Sequence, residues 1–227
     1  MSPNVAILGY WDIRGLAETS RLLLEYGGIN YEDRRIQMSK ADWLEYKTGL
    51  GFDFPNLPFY QDEDVKITQS KAIVKHLGRK LNLAGSTLKG QADIDMLLDL
   101  VADFVAMTTG LCYSPDFSES LKAEWLAGSG SFGKSGPLAD RLKSLQDKLG
   151  SNDWFVENQL SIADFSLWEF LDETRLLFAG CLDGFDGLQA FMDRFEQLKG
   201  VKEYLNSPRY RAFPIWSVRA KYGYNKV

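Results

Sequence analysis

Histidine and cysteine are nearly absent from this chain. His76 is the single histidine in 227 residues, and Cys112 and Cys181 are the two cysteines. A zinc site built on several His and Cys ligands is therefore not expected, no metal cofactor is expected, and a Ser-His-Asp triad would have to run through His76. That residue lies in a helix-like stretch between Lys75 and Leu77 and reads as structural or solvated. Two cysteines are too few for a disulfide framework, which fits a reducing, cytoplasmic setting. No block of Lys and Arg occurs and the formal net charge is -5, so neither nucleic acid nor an acidic membrane surface is an expected partner. No apolar run approaches the roughly 20 residues that span a bilayer. The opening residues lack a basic segment followed by a long apolar one, so no secretory signal is expected. What is present is an ordinary globular balance, 45% hydrophobic and 25% charged, in a chain long enough for one large domain or two small ones.

Residues 4–8 read as a short, apolar first strand that ends at Gly9-Tyr-Trp11. A helix is expected over 16–26, with Leu22, Leu23 and Tyr26 facing inward and Gly27-Gly28 as its C-terminal cap. Residues 31–36 form a charged second strand, and residues 40–47 a short helix carrying Trp43. Pro55 and Pro58 fix the backbone around Asn56-Leu57, and an Xaa-Pro step entering a strand is a place where a cis bond can occur. Residues 57–61 and 65–68 are the arms of a hairpin across the polar turn Asp62-Glu-Asp64. Gln69-Ser70 then opens a helix with Ile73, Val74, Leu77 and Leu81 on its apolar side. The N-terminus of that helix offers free N–H groups and partial positive charge, which suit a carboxylate. Such a strand beside a helix N-terminus can hold a small peptide-like ligand by its main chain; equally, it can be a hairpin and helix with nothing bound. The order strand, helix, strand, helix, strand, strand, helix predicts an α/β, thioredoxin-like domain over residues 1–82.

Residues 82–90 contain two glycines and a Ser-Thr pair, and 83–90 is read as a linker. An all-helical domain is expected over 91–227. From Gln91 to Tyr113, apolar residues keep helical spacing, while Asp95, Asp99 and Asp103 recur every four residues on another face that reads as solvated. Residues 127–137 hold four glycines and three serines and are expected to be a flexible loop. Ser161-Ile-Ala-Asp164 has the form of a capping box, with Leu160 and Phe165 placed as a hydrophobic staple. It predicts the start of the helical domain's central helix. The tail from Pro208 onward is aromatic and basic and reads as a cover rather than a core element.

Thioredoxin-like domains normally carry a reactive cysteine where the first strand meets the first helix. Here that place is held by Tyr10-Trp11, and no cysteine precedes Cys112, so thiol chemistry would need a thiol brought by the ligand. Five blocks carry a resemblance that runs from about Val5 to Tyr222: Leu8-Gly-Tyr-Trp-Asp-Ile-Arg-Gly-Leu16, Arg21-Leu-Leu-Leu-Glu-Tyr26, Phe54-Pro-Asn-Leu-Pro58, Thr68-Gln-Ser70 and Leu111-Cys-Tyr-Ser-Pro-Asp-Phe117. With these in order and spacing, the chain resembles a cytosolic glutathione transferase, most similar to the mu class. The resemblance implies conjugation of the glutathione thiolate to hydrophobic electrophiles, in detoxification, by a homodimer. It gives Tyr10 the hydroxyl that hydrogen-bonds the sulfur. It implies that Trp11, Lys40, Trp43 and Lys47 hold the glycine end, Asn56 and Leu57 the middle, and Gln69 and Ser70 the γ-glutamyl carboxylate. Asp103 would reach the ligand's ammonium from the partner subunit, and Phe54 would lock into the partner's helical domain. Ile13, Leu16, Ala106, Thr109, Tyr113, Trp216 and Ser217 would line the electrophile pocket.

Three departures stand out. Lys40 occupies a position where arginine is usual, which loosens the hold on a carboxylate because an ammonium lacks the guanidinium's fork. The stretch between Ile36 and Trp43 is shorter than in vertebrate mu enzymes, and residues 127–137 are longer and richer in glycine. Small Ala106 and Thr109 imply an open electrophile site, so substrate preference does not transfer. A glutathione-dependent isomerase of the same superfamily and a non-catalytic ligand-binding or structural relative remain alternatives to the transferase.

Overall fold

The computed structural model describes residues 5–37, 39–49, 51–127 and 138–225. Its first part is a four-stranded mixed sheet in the order β2-β1-β3-β4. Strand β1 (Ala6–Trp11) runs three residues further than its apolar run predicts and pairs parallel with β2 (Tyr31–Ile36), Ala6 opposite Tyr31 and Trp11 opposite Ile36. Helix α1 (Glu18–Tyr26) makes the crossover between them, preceded by a 3-10 turn at Gly15–Ala17. Leu22, Leu23 and Leu24 are fully buried, and Gly28 takes the positive φ that turns the chain back toward β2. Helix α2 (Lys40–Gly49) leads to the antiparallel pair β3 (Phe59–Gln61) and β4 (Lys66–Thr68). The Leu57-Pro58 bond entering β3 is cis. Both amides of the turn after β3, those of Asp64 and Val65, donate to Asp62 at 2.9 Å. Helix α3 (Ser70–Lys80) closes the domain, with Ile73, Val74 and Leu77 buried. His76 packs on the Tyr60 ring and lies 3.7 Å from Asp62, a structural position away from the site described below.

All elements described after residue 80 are helices: α4 (Leu88–Cys112), α5 (Glu119–Ala127), α6 (Leu138–Leu149), α7 (Ile162–Leu177), α8 (Asp186–Glu196) and α9 (Val201–Leu205). Helix α4 begins inside the stretch read as a linker. Thr87 caps it by accepting from Gly90 N–H at 2.9 Å. Gly90 is therefore helical, and its missing side chain serves packing: a Cβ there would run into the Glu157 carboxylate, which also accepts from Thr87 and Ser86. Residues 128–137 of the predicted Gly/Ser loop lie outside the described residues.

The Ser161–Asp164 box forms at the start of α7. Asp164 accepts the Ser161 N–H at 2.8 Å and, beyond the expected pair, the Phe155 N–H at 3.0 Å. Helix α7 is buried almost all round, packed between α4, α1 and α8. The tail is more than a cover. Ile215 and Trp216 are buried in the main core, and the Lys221 and Tyr222 amides donate to the Cys112 carbonyl at the end of α4. No described helix is long and apolar enough to cross a membrane.

Candidate active site

Tyr10 sits near the end of β1, and the turn after it is fixed from three sides. On the sheet side, fully buried Arg21 of α1 donates to the Ile13 carbonyl at 3.2 Å while pairing with Glu18 at 2.8 Å and Asp33 at 3.1 Å. Tyr204 completes that group by donating to Glu18 at 2.6 Å. On the helical side, fully buried Arg14 forks onto Glu169 of α7 at 2.7 and 2.6 Å and reaches Asp172 at 2.5 Å. From the tail, the Pro214 and Ile215 carbonyls accept the Arg14 and Gly15 amides at 2.9 and 3.0 Å. The tyrosine ring lies directly over Gly15, where φ is +41° and an added Cβ would stand 2.8 Å from the hydroxyl oxygen. Only glycine admits both that backbone and that approach.

Burial pushes the Tyr10 phenol up to about 12; the Leu16 backbone N–H works against the shift, and Tyr113 and Glu173 add to it. At neutral pH the group is a protonated donor. It opens on a cavity of about 620 Å³ between the two halves of the chain. The sheet-side lining is Tyr10, Trp11, Ile13, Gly15, Leu16 and Thr19, joined by Ser70, Lys71 and Val74 from α3. The helical side brings Ala106, Thr109 and Tyr113 of α4, Ser166, Glu169 and Glu173 of α7, and Trp216 and Ser217 of the tail. Tyr113 is held in place by Ser217, donating to its hydroxyl at 2.9 Å and accepting its N–H at 2.8 Å. A fixed phenol donor beside a largely apolar chamber can stabilise an anion at one end and house an apolar partner at the other.

Comparison with known proteins gives this geometry a family. The sequence profile described as "Glutathione S-transferase, N-terminal domain" matches residues 6–79, and "Glutathione S-transferase, C-terminal domain" matches 134–208. A Mus musculus protein named glutathione S-transferase Mu 2 is 42% identical over 219 residues, covering 94% of this chain and 96% of the relative. A Bos taurus Mu 1 protein is 40% identical over 223 residues, covering 96% and 98%. The chain belongs to the glutathione S-transferase family. A solved Pi-class glutathione S-transferase from Onchocerca volvulus shares its fold, with a TM-score of 0.76 and 32% identity over 88% of this chain and 91% of that one.

In this transferase, ten of the residues read from sequence meet in the cavity wall: Tyr10, Trp11, Ile13, Leu16, Ser70, Ala106, Thr109, Tyr113, Trp216 and Ser217. Trp43 packs on Trp11 with ring centroids 5.9 Å apart, Leu57 is buried beneath the site, and Lys47, Asn56 and Gln69 are exposed. Lys40 opens α2. Gln69 has φ 74° and ψ 112°, a conformation that costs a non-glycine residue about 1–3 kcal/mol and recurs at ligand sites. The acidic face of α4 is divided: Asp95 pairs with Lys75 and Asp99 with Lys71, whereas Asp103 is exposed without an ion pair among the described residues. Phe54 is 78% exposed, so it does not fold back onto its own domain.

Sequence reasoning missed Arg14, Gly15, Arg21 and the acids Glu169, Asp172 and Glu173. Arg14, Gly15 and Arg21 fall inside the blocks that carry the resemblance, but nothing in the spacing said that Arg14 would cross to a helix 155 residues away. Three acids on a buried helix were the available signal, because buried carboxylates require a cation or a proton.

Proposed function

We propose that Tyr10 holds the glutathione thiolate for attack on hydrophobic electrophiles housed in the adjoining cavity. The observation that carries this reading is a buried phenol, pushed up to about 12 by desolvation, at the edge of an apolar chamber. A free thiol has a pKa of about 8.5 and is largely protonated at neutral pH. Lowering it by about two units takes roughly 2.7 kcal/mol of preference for the thiolate. A hydrogen bond to a charged acceptor contributes about 1.5–3 kcal/mol, so one phenol supplies most of it. The thiol's proton leaves to solvent, because the phenol's affinity for its own proton is far too high for the sulfur to remove it. The thiolate then attacks an electrophilic carbon on the cavity side.

The rest of the tripeptide would lie along the exposed edge of the sheet. Ser70 at the N-terminus of α3, beside the strained Gln69, suits the γ-glutamyl carboxylate. The main chain at Leu57 and the Asn56 side chain would hold the middle, and Trp11, Lys40, Trp43 and Lys47 the glycine end. Asp103, free of the lysines that neutralise its neighbours, would meet the ligand's ammonium in the partner subunit's site. Exposed Phe54 supports a homodimer, since a lone phenylalanine in water gains by burial in a partner. The same reading makes the protein a cytosolic detoxifying enzyme. The test is turnover of 1-chloro-2,4-dinitrobenzene with glutathione: saturable product formation is expected, and its absence at millimolar glutathione overturns the reading.

A further inference from the structure

The proposed mechanism uses the phenol and the apolar wall, and leaves a buried carboxyl of the cavity wall without a task. Glu173 on α7 belongs to the cavity wall, is 3% exposed, and makes no hydrogen bond or ion pair among the described residues. Its helix neighbours are committed elsewhere: Arg14 forks onto Glu169 and also reaches Asp172, which Arg175 meets as well. Facing groups on other elements are Glu18 of α1, Cys112 at the end of α4, and Tyr10. Among these neighbours Arg14 is the cation that acts on Glu173; its Nε and Nη2 are taken by Glu169 and Asp172, and its buried Nη1 makes no hydrogen bond to Glu173 or to any other described residue. Burial, followed by Glu169, pushes the Glu173 carboxyl well up from the carboxylate range. An unpaired, desolvated acid next to other acids keeps its proton. It is then a hydrogen-bond donor in the cavity wall with no acceptor among the described residues.

We infer that Glu173 is a specificity residue of the electrophile pocket, donating its carboxyl O–H to an acceptor oxygen of the electrophile and so favouring α,β-unsaturated carbonyl compounds. The inference rests on the transferase reading above. In such an addition the thiolate sulfur bonds to the β-carbon and the C=C π pair moves through the chain onto the carbonyl oxygen. The Glu173 O–H hydrogen bond strengthens as that oxygen becomes an enolate, the kind of interaction that lowers a barrier. A proton from water then reaches the α-carbon, and hydroxide takes up the proton the thiol released earlier. Nothing is oxidised, no group leaves, and Glu173 ends protonated as it began. An aryl halide puts its developing charge on the ring and its substituents, and loses halide, so it draws less on a donor fixed for one carbonyl oxygen.

The test compares kcat/KM of the full-length protein for cyclohex-2-enone and for 1-chloro-2,4-dinitrobenzene, each with glutathione, in wild type, Glu173→Leu and Glu173→Gln. The ratio of enone to aryl-halide efficiency should fall about tenfold or more in Glu173→Leu. It should recover in part in Glu173→Gln, whose amide keeps an N–H donor. In wild type the ratio should decline as alkaline pH removes the carboxyl proton, and it should be flat with pH in Glu173→Gln. An unchanged ratio in both variants, or a parallel loss of both activities, overturns the inference and leaves Glu173 a packing residue. A wild type that turns over neither substrate overturns the transferase reading instead.

Discussion

Tyr10 combines two properties that oppose each other in most side chains: it is 6% exposed, yet its hydroxyl borders a ligand cavity. Gly15 makes this possible, because its missing Cβ is what lets the ring lie on the turn. Gly15→Ala should force both a positive φ on an L-residue and a clash with the phenol. The expected result is a loss of about 1–3 kcal/mol in stability with a larger fall in turnover. Denaturation and steady-state kinetics on one preparation separate the two; full activity would show that the ring tolerates displacement. Ser70 offers a second single-residue check. Removing a hydrogen bond to a charged carboxylate costs about 1–2 kcal/mol, so Ser70→Ala should weaken glutathione binding by roughly five- to thirtyfold in calorimetry. An unaltered Kd would move the γ-glutamyl group elsewhere.

At the scale of elements, the decisive contact is α7 against the turn after β1. The Arg14 fork ties the two folding units together at the point where the phenol is aimed. Arg14→Met should leave Glu169 and Asp172 buried without their main cation, a loss of about 3–5 kcal/mol. Adding Glu169→Met and Asp172→Leu to it should restore much of that stability, because the uncompensated charges go too. Urea denaturation at one protein concentration checks both; a single variant as stable as wild type would mean the pair carries no structural weight. This contact also marks where sequence stops being informative. Strand and helix order, the hairpin and the α7 cap follow from local periodicity and turn chemistry, and they stand in the structure close to where those rules put them. Gly90 misled because a glycine between helices reads as a break, whereas here it makes room for Glu157. The acids of α7 were legible as an anomaly, but their partner is set by tertiary packing over 155 residues, which no local pattern encodes.

At the scale of the whole molecule, one chain leaves exposed what an assembly would cover. Phe54 at 78% exposure and Asp103, exposed with no ion pair among the described residues, are two features that a dimer would use. Burying one phenylalanine contributes about 1.5–3 kcal/mol, and truncating a buried one to alanine costs about 3–5 kcal/mol with its cavity. A symmetric dimer holds the contact twice. Phe54→Ala should therefore raise the dimer dissociation constant by about three powers of ten or more. Glutathione affinity should fall with it, because separation would take Asp103 from the neighbouring site. Analytical ultracentrifugation over a dilution series reads the first effect. A variant as dimeric as wild type contradicts the lock, and a monomeric wild type contradicts the shared site.

The central claim is that the Tyr10 phenol sets the ionisation of bound glutathione, and titrating the thiolate absorbance of the binary complex tests it most directly. With a phenol that keeps its proton to about 12, the transition seen between pH 5 and 10 belongs to the thiol. In wild type its midpoint should lie about two units below the free value of about 8.5, so the thiolate forms as pH rises through about 6.5. In Tyr10→Phe the midpoint should return toward about 8.5, with turnover at pH 6.5 down about a hundredfold and glutathione affinity within a few fold. An identical midpoint in the two proteins would contradict the account.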